Sequence, residues 1–253
     1  MKKYILITFL GILLASCASS EKIVYFQEVE GLQLNDTLVN FEPAIQVGDL
    51  LAINVSAIDA EAAIPFNLYE TPIVSGSGNF SNASPISYLV NADGNINFPV
   101  IGKLKVAGLT TKETDEKLSK ILSAYIKNPI VIIRLINFKV TVMGEVQRPG
   151  TYTITNERVS ILEAISLAND LTIHGKRKTV LLIREQNGKR VFVNIDLTSK
   201  ELFNSPYFYL SQNDVIYVAP NKTKVNSSAV GANTAVIVSS ISILISLIAI
   251  ILK

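Results

Sequence analysis

The sequence predicts an α+β protein with two small mixed domains in succession, followed by one apolar C-terminal helix. Short strand-like runs, separated by Gly, Pro, Asn and Asp turn residues, recur between positions 43 and 220. Two helix starts interrupt them, each marked by a capping box, Thr110 to Glu113 and Ser160 to Glu163. The stretch 235–252 then has no charged residue, which is typical of a transmembrane helix.

The N-terminus has the pattern of an export signal. Lys2 and Lys3 precede an apolar stretch that is too short to cross a bilayer but typical of a signal-peptide core. The following Leu14-Ala15-Ser16-Cys17 resembles the bacterial lipobox, which implies cleavage after residue 16 and lipidation of Cys17. An ordinary secretory leader with an incidental cysteine is the alternative. Because Ala18 follows instead of aspartate, the pattern favours a periplasm-facing lipoprotein of the outer membrane.

The C-terminal segment 235–252 would be ~27 Å long as a helix, close to the thickness of a thin outer membrane. The polar, small residues at 221–234 indicate a linker before it. Small residues in the segment recur at spacings of four and three, and we call them the small-residue seam: Ala235, Ser239, Ser242, Ser246 and Ala249. In lipid such a seam lets helices approach closely, so we predict helix packing there. The alternatives are a single anchor that tolerates serines and a serine face that lines a wet pore.

Three local signals predict the first domain. Val47-Gly48-Asp49 is a tight turn that leads into a strand. Asp93-Gly94 suits a hairpin turn between strands at 88–92 and 95–99. The strand Ile130–Leu135 carries Ile and Val on both faces, so we predict that it is central and buried.

The second domain is predicted to begin with a strand at 138–146 and a turn at Pro149-Gly150, where we expect a positive φ at Gly150. The helix from Ser160 follows, and then a hairpin across 180–195. The closing strand is approached through Leu210–Asp214, which weakly echoes the approach to the first strand, Ile45–Leu51.

Composition excludes several classes of function. The formal charge is +2, and it is balanced once the lysines of the leader are removed, so no nucleic-acid partner is predicted. The chain has one cysteine, Cys17, and one histidine, His174, too few for a usual zinc site. No nucleophile and base accompany His174 in a recognisable motif, so we predict no enzyme activity, no cofactor and no metal. The basic cluster Thr172–Lys178 indicates a solvated face, or a contact with an acidic sugar or a partner.

From about Phe41 to Pro220 the chain resembles the polysaccharide export family of outer-membrane lipoproteins. The motifs that carry this resemblance occur in one order: Val47-Gly48-Asp49, Asp93–Pro99, Ile101-Gly102, Val106–Thr110 and Asn128–Val131. The stretch from Val142 to Tyr152 resembles the start of a soluble-ligand-binding β-grasp domain, abbreviated SLBB. One departure is that the helix of such domains usually ends in Ala-Gly-Gly, whereas this chain has Ala168-Asn169-Asp170.

The resemblance implies a subunit of an outer-membrane translocon that exports capsular or extracellular polysaccharide. It also implies a homo-oligomeric ring, often of eight subunits, and an inner-membrane co-polymerase partner that often carries a tyrosine kinase. The alternatives are a periplasm-facing glycan-binding lipoprotein without a pore, and an envelope enzyme. The predicted organisation is a signal peptide at 1–16, a lipidated segment at 17–42, a polysaccharide export domain at 43–136, a β-grasp domain at 137–220, a linker at 221–234 and a transmembrane helix at 235–252.

Overall fold

The computed structural model describes residues 23–27, 41–69, 86–186, 188–229 and 233–251. The predicted signal peptide and Cys17 lie outside the described residues. The described part has a mixed α+β architecture with two hydrophobic cores, one in each predicted domain. The α+β fold class predicted from the sequence is therefore confirmed.

The first domain packs a helix against a three-stranded antiparallel sheet, with strands in the order β2-β1-β5, beside a separate hairpin of β3 and β4. The helix α2 begins at the predicted capping box and buries Leu118 and Leu122 completely. The elements in chain order are β1 (Leu50–Ser56), α1 (Ala60–Ala63), β2 (Tyr88–Leu89), β3 (Asn95–Phe98), β4 (Gly102–Lys105), α2 (Thr111–Leu122) and β5 (Ile130–Leu135).

Two predictions about this domain are wrong. Asp93-Gly94 does form a turn, with Gly94 at φ +75°, but β2 pairs with β1 and β3 pairs with β4, so the flanking strands form no hairpin. The strand β5 is also an edge strand, because it pairs with β1 alone among the described strands. Its Ile130 and Ile132 side chains are 61% and 49% exposed. An apolar residue on both faces therefore did not indicate burial on both faces.

The second domain is a five-stranded sheet in the order β7-β6-β10-β8-β9, in which β6 and β10 are parallel and the other neighbours antiparallel. The helix α3 packs against this sheet and begins at the second predicted capping box. The predicted hairpin of β8 and β9 is confirmed. The elements are β6 (Lys139–Gly144), β7 (Gly150–Thr153), α3 (Ile161–Leu167), β8 (Gly175–Gln186), β9 (Lys189–Ile195), a 3-10 turn (Lys200–Asn204) and β10 (Val215–Pro220).

Of the two glycines on either side of the turn after β6, it is Gly144 that requires a special backbone conformation, and Gly150 does not. Gly150 does not have a positive φ, and a Cβ placed on it would meet nothing closer than Tyr152, at 3.8 Å. Gly144 has φ +93°, and a Cβ there would lie 2.1 Å from the carbonyl oxygen of Val218. The close approach of β6 to β10 therefore depends on Gly144.

Two helices follow the second domain. The helix α4 (Lys222–Ala229) occupies part of the segment that we predicted as a linker, and α5 (Asn233–Ile251) covers most of the predicted transmembrane segment. Among the residues that the structure describes, no helix meets the length and apolarity needed to cross a membrane. The membrane span at 235–252 is therefore not confirmed.

Candidate functional site

The two domains contain the same four-residue turn, at Gln46–Asp49 and at Ser211–Asp214. In each turn the aspartate carboxylate accepts a hydrogen bond from the backbone N–H of the first residue, at 2.8 Å and 2.7 Å. The aspartate N–H donates back to the carbonyl oxygen of that residue, at 3.2 Å in both turns. The third residue has a positive φ, +88° at Gly48 and +64° at Asn213. The weak echo in the sequence therefore corresponds to a repeated structure.

The two turns differ in the charge that faces the aspartate. Asp214 is fully buried and forms a bidentate ion pair with Arg184, with Nε 3.0 Å from Oδ1 and Nη2 2.6 Å from Oδ2. Asp49 is also buried, but no ion pair involves it within the described residues. Burial raises the pKa of the Asp49 carboxyl, and the Gln46 backbone amide and the Gln212 side chain offset part of this shift.

Asn137, the residue between the two domains, ties these turns together. Its side-chain amide donates to the carbonyl oxygen of Gly48 at 3.1 Å and accepts from the N–H of Leu50 at 2.9 Å. Its own carbonyl oxygen accepts from the Gln212 side chain at 2.9 Å, and Gln212 accepts from the N–H of Lys139 at 2.8 Å. We call Asn137, Gln212 and Asp49 the domain junction. It couples the start of β1 to the approach to β10.

A cleft with a volume of about 1230 Å³ lies beside the domain junction and is lined by both domains. On one side the ring of Phe41 stacks on Tyr209, with centroids 5.6 Å apart, and the guanidinium of Arg158 lies 5.0 Å from the Tyr209 centroid. The charged residues in its wall are Glu42, Arg134, Glu157, Arg158 and Glu163. Glu163 is committed to the capping box of α3 through its contact with the Ser160 backbone N–H. Aromatic faces with charges of both signs suit a polar ligand or a polypeptide segment.

The N-terminal segment 23–27 is held on the second domain by Tyr25. Its hydroxyl donates to the Asp170 carboxylate, and the guanidinium of Arg177 lies 5.2 Å from its ring centroid. Backbone N–H groups of Phe26 and Gln27 donate to carbonyl oxygens of the second domain. We call this end of the domain, with Tyr25, Asp170 and Arg177 at its centre, the anchor end.

The departure from Ala-Gly-Gly provides one of these contacts. Asn169 and Asp170 have φ of +58° and +69°, the left-handed conformation that glycine adopts readily and that Asn and Asp tolerate best among other residues. Asn169 and Asp170 therefore adopt the left-handed backbone conformation that would favour glycine at these two positions. In exchange, Asp170 contributes the carboxylate that binds Tyr25, which a glycine could not do.

The helix α4 leaves the domain from the same end, and α5 follows it in the chain. The N–H of Asn221, one residue after β10, donates to the carbonyl oxygen of His174 at 2.8 Å. Lys224 in α4 lies 3.9 Å from the Glu145 carboxylate. The backbone carbonyl of His174 thus helps to hold the chain where it leaves β10. The side-chain Nδ1 of His174 is buried and has no hydrogen-bond partner in the described part of the chain. Neither a base nor a nucleophile role for His174 is supported by these contacts.

The structure describes three side chains of the small-residue seam. The hydroxyls of Ser239, Ser242 and Ser246 are exposed, and each donates at 2.9 Å to a carbonyl oxygen of α5 itself. The side chains of Ala235 and Ala249 are outside the described set. The serine hydroxyl protons are already donated within α5. A neighbouring helix could therefore pack closely against these small side chains but would receive few hydrogen bonds from them. Groups of Cys, His, Asp and Glu that could hold a metal ion are absent from the part of the chain that was searched.

Comparison with known proteins agrees with this two-domain arrangement. Residues 39–136 match the family model described as polysaccharide biosynthesis/export protein, and residues 138–218 match the SLBB domain. The chain belongs to the polysaccharide biosynthesis/export protein family, with an SLBB domain as its second domain.

Two curated relatives carry the name "EPS I polysaccharide export outer membrane protein EpsA". The chain is 28% identical over 179 residues to the one from Ralstonia nicotianae, which covers 69% of this chain and 46% of that protein. It is 25% identical over 199 residues to the one from Ralstonia solanacearum, which covers 76% of this chain and 52% of that protein. The chain thus spans about half the length of these relatives.

Proposed function

We propose that the protein is a subunit of an outer-membrane translocon that exports capsular or extracellular polysaccharide. The observation that carries the proposal is the succession of a polysaccharide export domain and an SLBB domain, together with similarity to relatives named as polysaccharide export outer membrane proteins. The proposal assigns binding and passage of a glycan to the protein and no chemical step.

The anchor end supports attachment to the outer membrane through Cys17, which we propose to be lipidated. Tyr25 is eight residues after Cys17 in the chain, so the lipid lies within ~28 Å of the Tyr25 contact even when the chain is extended. The helix α4 leaves from the same end, beside His174, and α5 follows it in the chain. Both chain termini therefore direct this end of the second domain towards one membrane, and the first domain would be periplasmic.

We further propose that copies of α5 associate through the small-residue seam when the segment 235–252 enters the membrane. With ~100° per residue, the five seam positions fall on one face of α5. Serines whose protons are already used can pack closely without leaving an unsatisfied donor in lipid. We also propose that the subunits form a homo-oligomeric ring, which the family resemblance implies to have eight subunits. The proposed partner is an inner-membrane co-polymerase.

The seam is tested by the mass of the detergent-extracted particle. Ser242→Leu with Ser246→Leu should crowd the seam and shift the particle towards monomer, whereas Leu244→Phe, which adds bulk on the opposite face, should leave the oligomer intact. Equal masses for the two variants would contradict packing through the seam.

Export itself is tested by complementation of a strain that lacks the gene. The full chain should restore surface polysaccharide, and a chain without residues 235–253 should be folded and lipidated but inactive. Normal export by the truncated chain would show that α5 is only an anchor. Mass spectrometry of the mature protein checks Cys17, since an unmodified cysteine or cleavage elsewhere would contradict lipidation.

The second candidate function is a periplasm-facing lipoprotein that binds a glycan without forming a pore. The cleft beside the domain junction favours it, because Phe41 and Tyr209 place aromatic rings next to the charges of Arg134 and Glu157. A monomeric particle that binds glycan, together with normal export in its absence, would select this function over the translocon.

A further inference from the structure

The anchor end carries a concentration of lysines. Lys176 and Lys178 are exposed on one face of β8, on either side of the buried Arg177, and Lys222 and Lys224 are exposed in α4. Gly175 pairs with Pro220 in the antiparallel ladder of β8 and β10, so Lys176, one residue into β8, and Lys222, two residues beyond β10, lie on either side of this pair. We call Lys176, Lys178, Lys222 and Lys224 the lysine surface.

Most of this positive charge is not neutralised within the described residues. The ion pair of Lys224 with Glu145 is long, at 3.9 Å, and the same carboxylate oxygen accepts from the Thr172 hydroxyl at 2.9 Å. Asp170, also at this end, receives the Tyr25 hydroxyl and the N–H of Leu171, and Asp196 receives the N–H and the hydroxyl of Thr198. No described carboxylate forms an ion pair with Lys176, Lys178 or Lys222.

Arg177 has a different role from the lysines around it. It is buried, donates to the carbonyl oxygens of Thr172 and Gly175 at 3.3 Å and 3.2 Å, and lies against the Tyr25 ring. It therefore fixes the loop that precedes β8 and the N-terminal segment at once. The lysines project from a backbone that is held in place, which makes the lysine surface a constant feature of the anchor end.

We propose that the lysine surface binds anionic phospholipid headgroups. The inference rests on the proposed attachment of this end to the outer membrane, since both chain termini leave the domain beside these residues. Lysine is a flexible, strongly hydrated point charge, which suits a disordered layer of phosphates better than one fixed ligand. A lysine close to an anionic membrane surface contributes about fivefold in affinity, and the contribution falls off over about 8 Å at physiological salt. The surface would set the tilt of the second domain on the membrane.

The test uses the full chain in nanodiscs of phosphatidylcholine, with or without phosphatidylglycerol. Brief acetylation of lysines is read by mass spectrometry, residue by residue. We expect labelling of Lys176 and Lys222 to fall about fivefold in the anionic discs. Lys189, exposed at the opposite end of β8, and Lys112 in the first domain are the internal controls and should be labelled equally in both. At 1 M salt, where the screening length is about 3 Å, the protection should disappear.

A variant with Lys176→Gln and Lys222→Gln should also lose protection at the two remaining lysines. Equal labelling of the lysine surface in both kinds of disc overturns the proposal. Protection that requires a polyanionic glycan such as alginate, and not anionic lipid, overturns it as well and assigns the surface to the glycan. These outcomes are separate from the proposed function, because rings that export polysaccharide while their lysines stay unprotected would refute this inference alone.

Discussion

The repeated turn gives a matched pair of substitutions, Asp214→Asn and Asp49→Asn. The first leaves Arg184 buried without its counter-charge, because its Nε and Nη2 groups donate to Asp214 at 2.6 to 3.1 Å and its remaining contacts are the Tyr209 carbonyl oxygen at 2.9 Å and the Tyr207 ring. The side chains of the pair are 8% and 1% exposed, so solvent screens them little. Removing one partner of a buried pair costs about 3–5 kcal/mol.

Asp49→Asn should behave differently, because no cation of the described residues forms an ion pair with Asp49. Its carboxyl has a raised pKa, so the folded state disfavours the charged form, and stability falls as the pH rises from the ordinary aspartate pKa through the raised one. An amide at this position keeps an acceptor for the Gln46 N–H and removes the buried charge. We expect equal or greater stability at neutral pH, and loss of that decline with pH.

Amide hydrogen exchange of the full chain, read on peptides that cover β8 and β10, resolves the second domain from the first. Asp214→Asn should lower protection there by about 10²- to 10⁴-fold, and Asp49→Asn should not. The double variant Arg184→Met with Asp214→Leu, which removes both charges, should recover most of the loss. If both single variants changed protection equally, the buried pair would contribute nothing beyond the turn, and the reasoning would be refuted.

Three further outcomes are expected. Gly144→Ala should destabilise the second domain by more than about 2 kcal/mol in denaturant unfolding, because the added Cβ would strike the β10 backbone. The control Gly150→Ala should change stability by less than about 1 kcal/mol. A larger effect at Gly150 than at Gly144 would contradict the backbone conformations assigned to these two glycines. Asp170→Gly should preserve the domain but release the segment 23–27, seen as faster exchange at those amides alone. His174→Ala should leave surface polysaccharide unchanged, and loss of export by an assembled protein would reopen a role for this histidine.

Local signals predicted local structure well. Both capping boxes form as expected, since each is a set of contacts within four residues. Predictions that required a partner strand were less successful. Ile130–Leu135 is as apolar as a central strand, yet its outer face is open, because sequence alone does not say which neighbour is present. The turn at Asp93-Gly94 was recognised, but its strands pair elsewhere in the domain.

The features that organise the candidate site were beyond sequence reasoning for the same reason. Arg184 and Asp214 are thirty residues apart, and Tyr25 and Asp170 are 145 apart, so no periodicity joins them. Asn137 belongs to no recognisable motif, although its position between the two predicted domains could have indicated a role in connecting them. The Asn169-Asp170 departure was visible, but only the positive φ values show that it preserves a conformation while adding a carboxylate.

The repeated turn also explains why the aspartate of only one copy can serve the domain junction. The Asp214 carboxylate is saturated by Arg184 and by the Ser211 N–H, so it stabilises its own domain and has little capacity left. The Asp49 carboxylate receives the Gln46 N–H and forms no ion pair with any described residue, so it is free for the Gln212 side chain, which offsets part of the rise in its pKa. Placing an arginine beside Asp49 would strengthen the first domain but compete for that interaction. The lack of an ion pair at Asp49 within the described residues therefore leaves its carboxylate available to couple the first domain to the second.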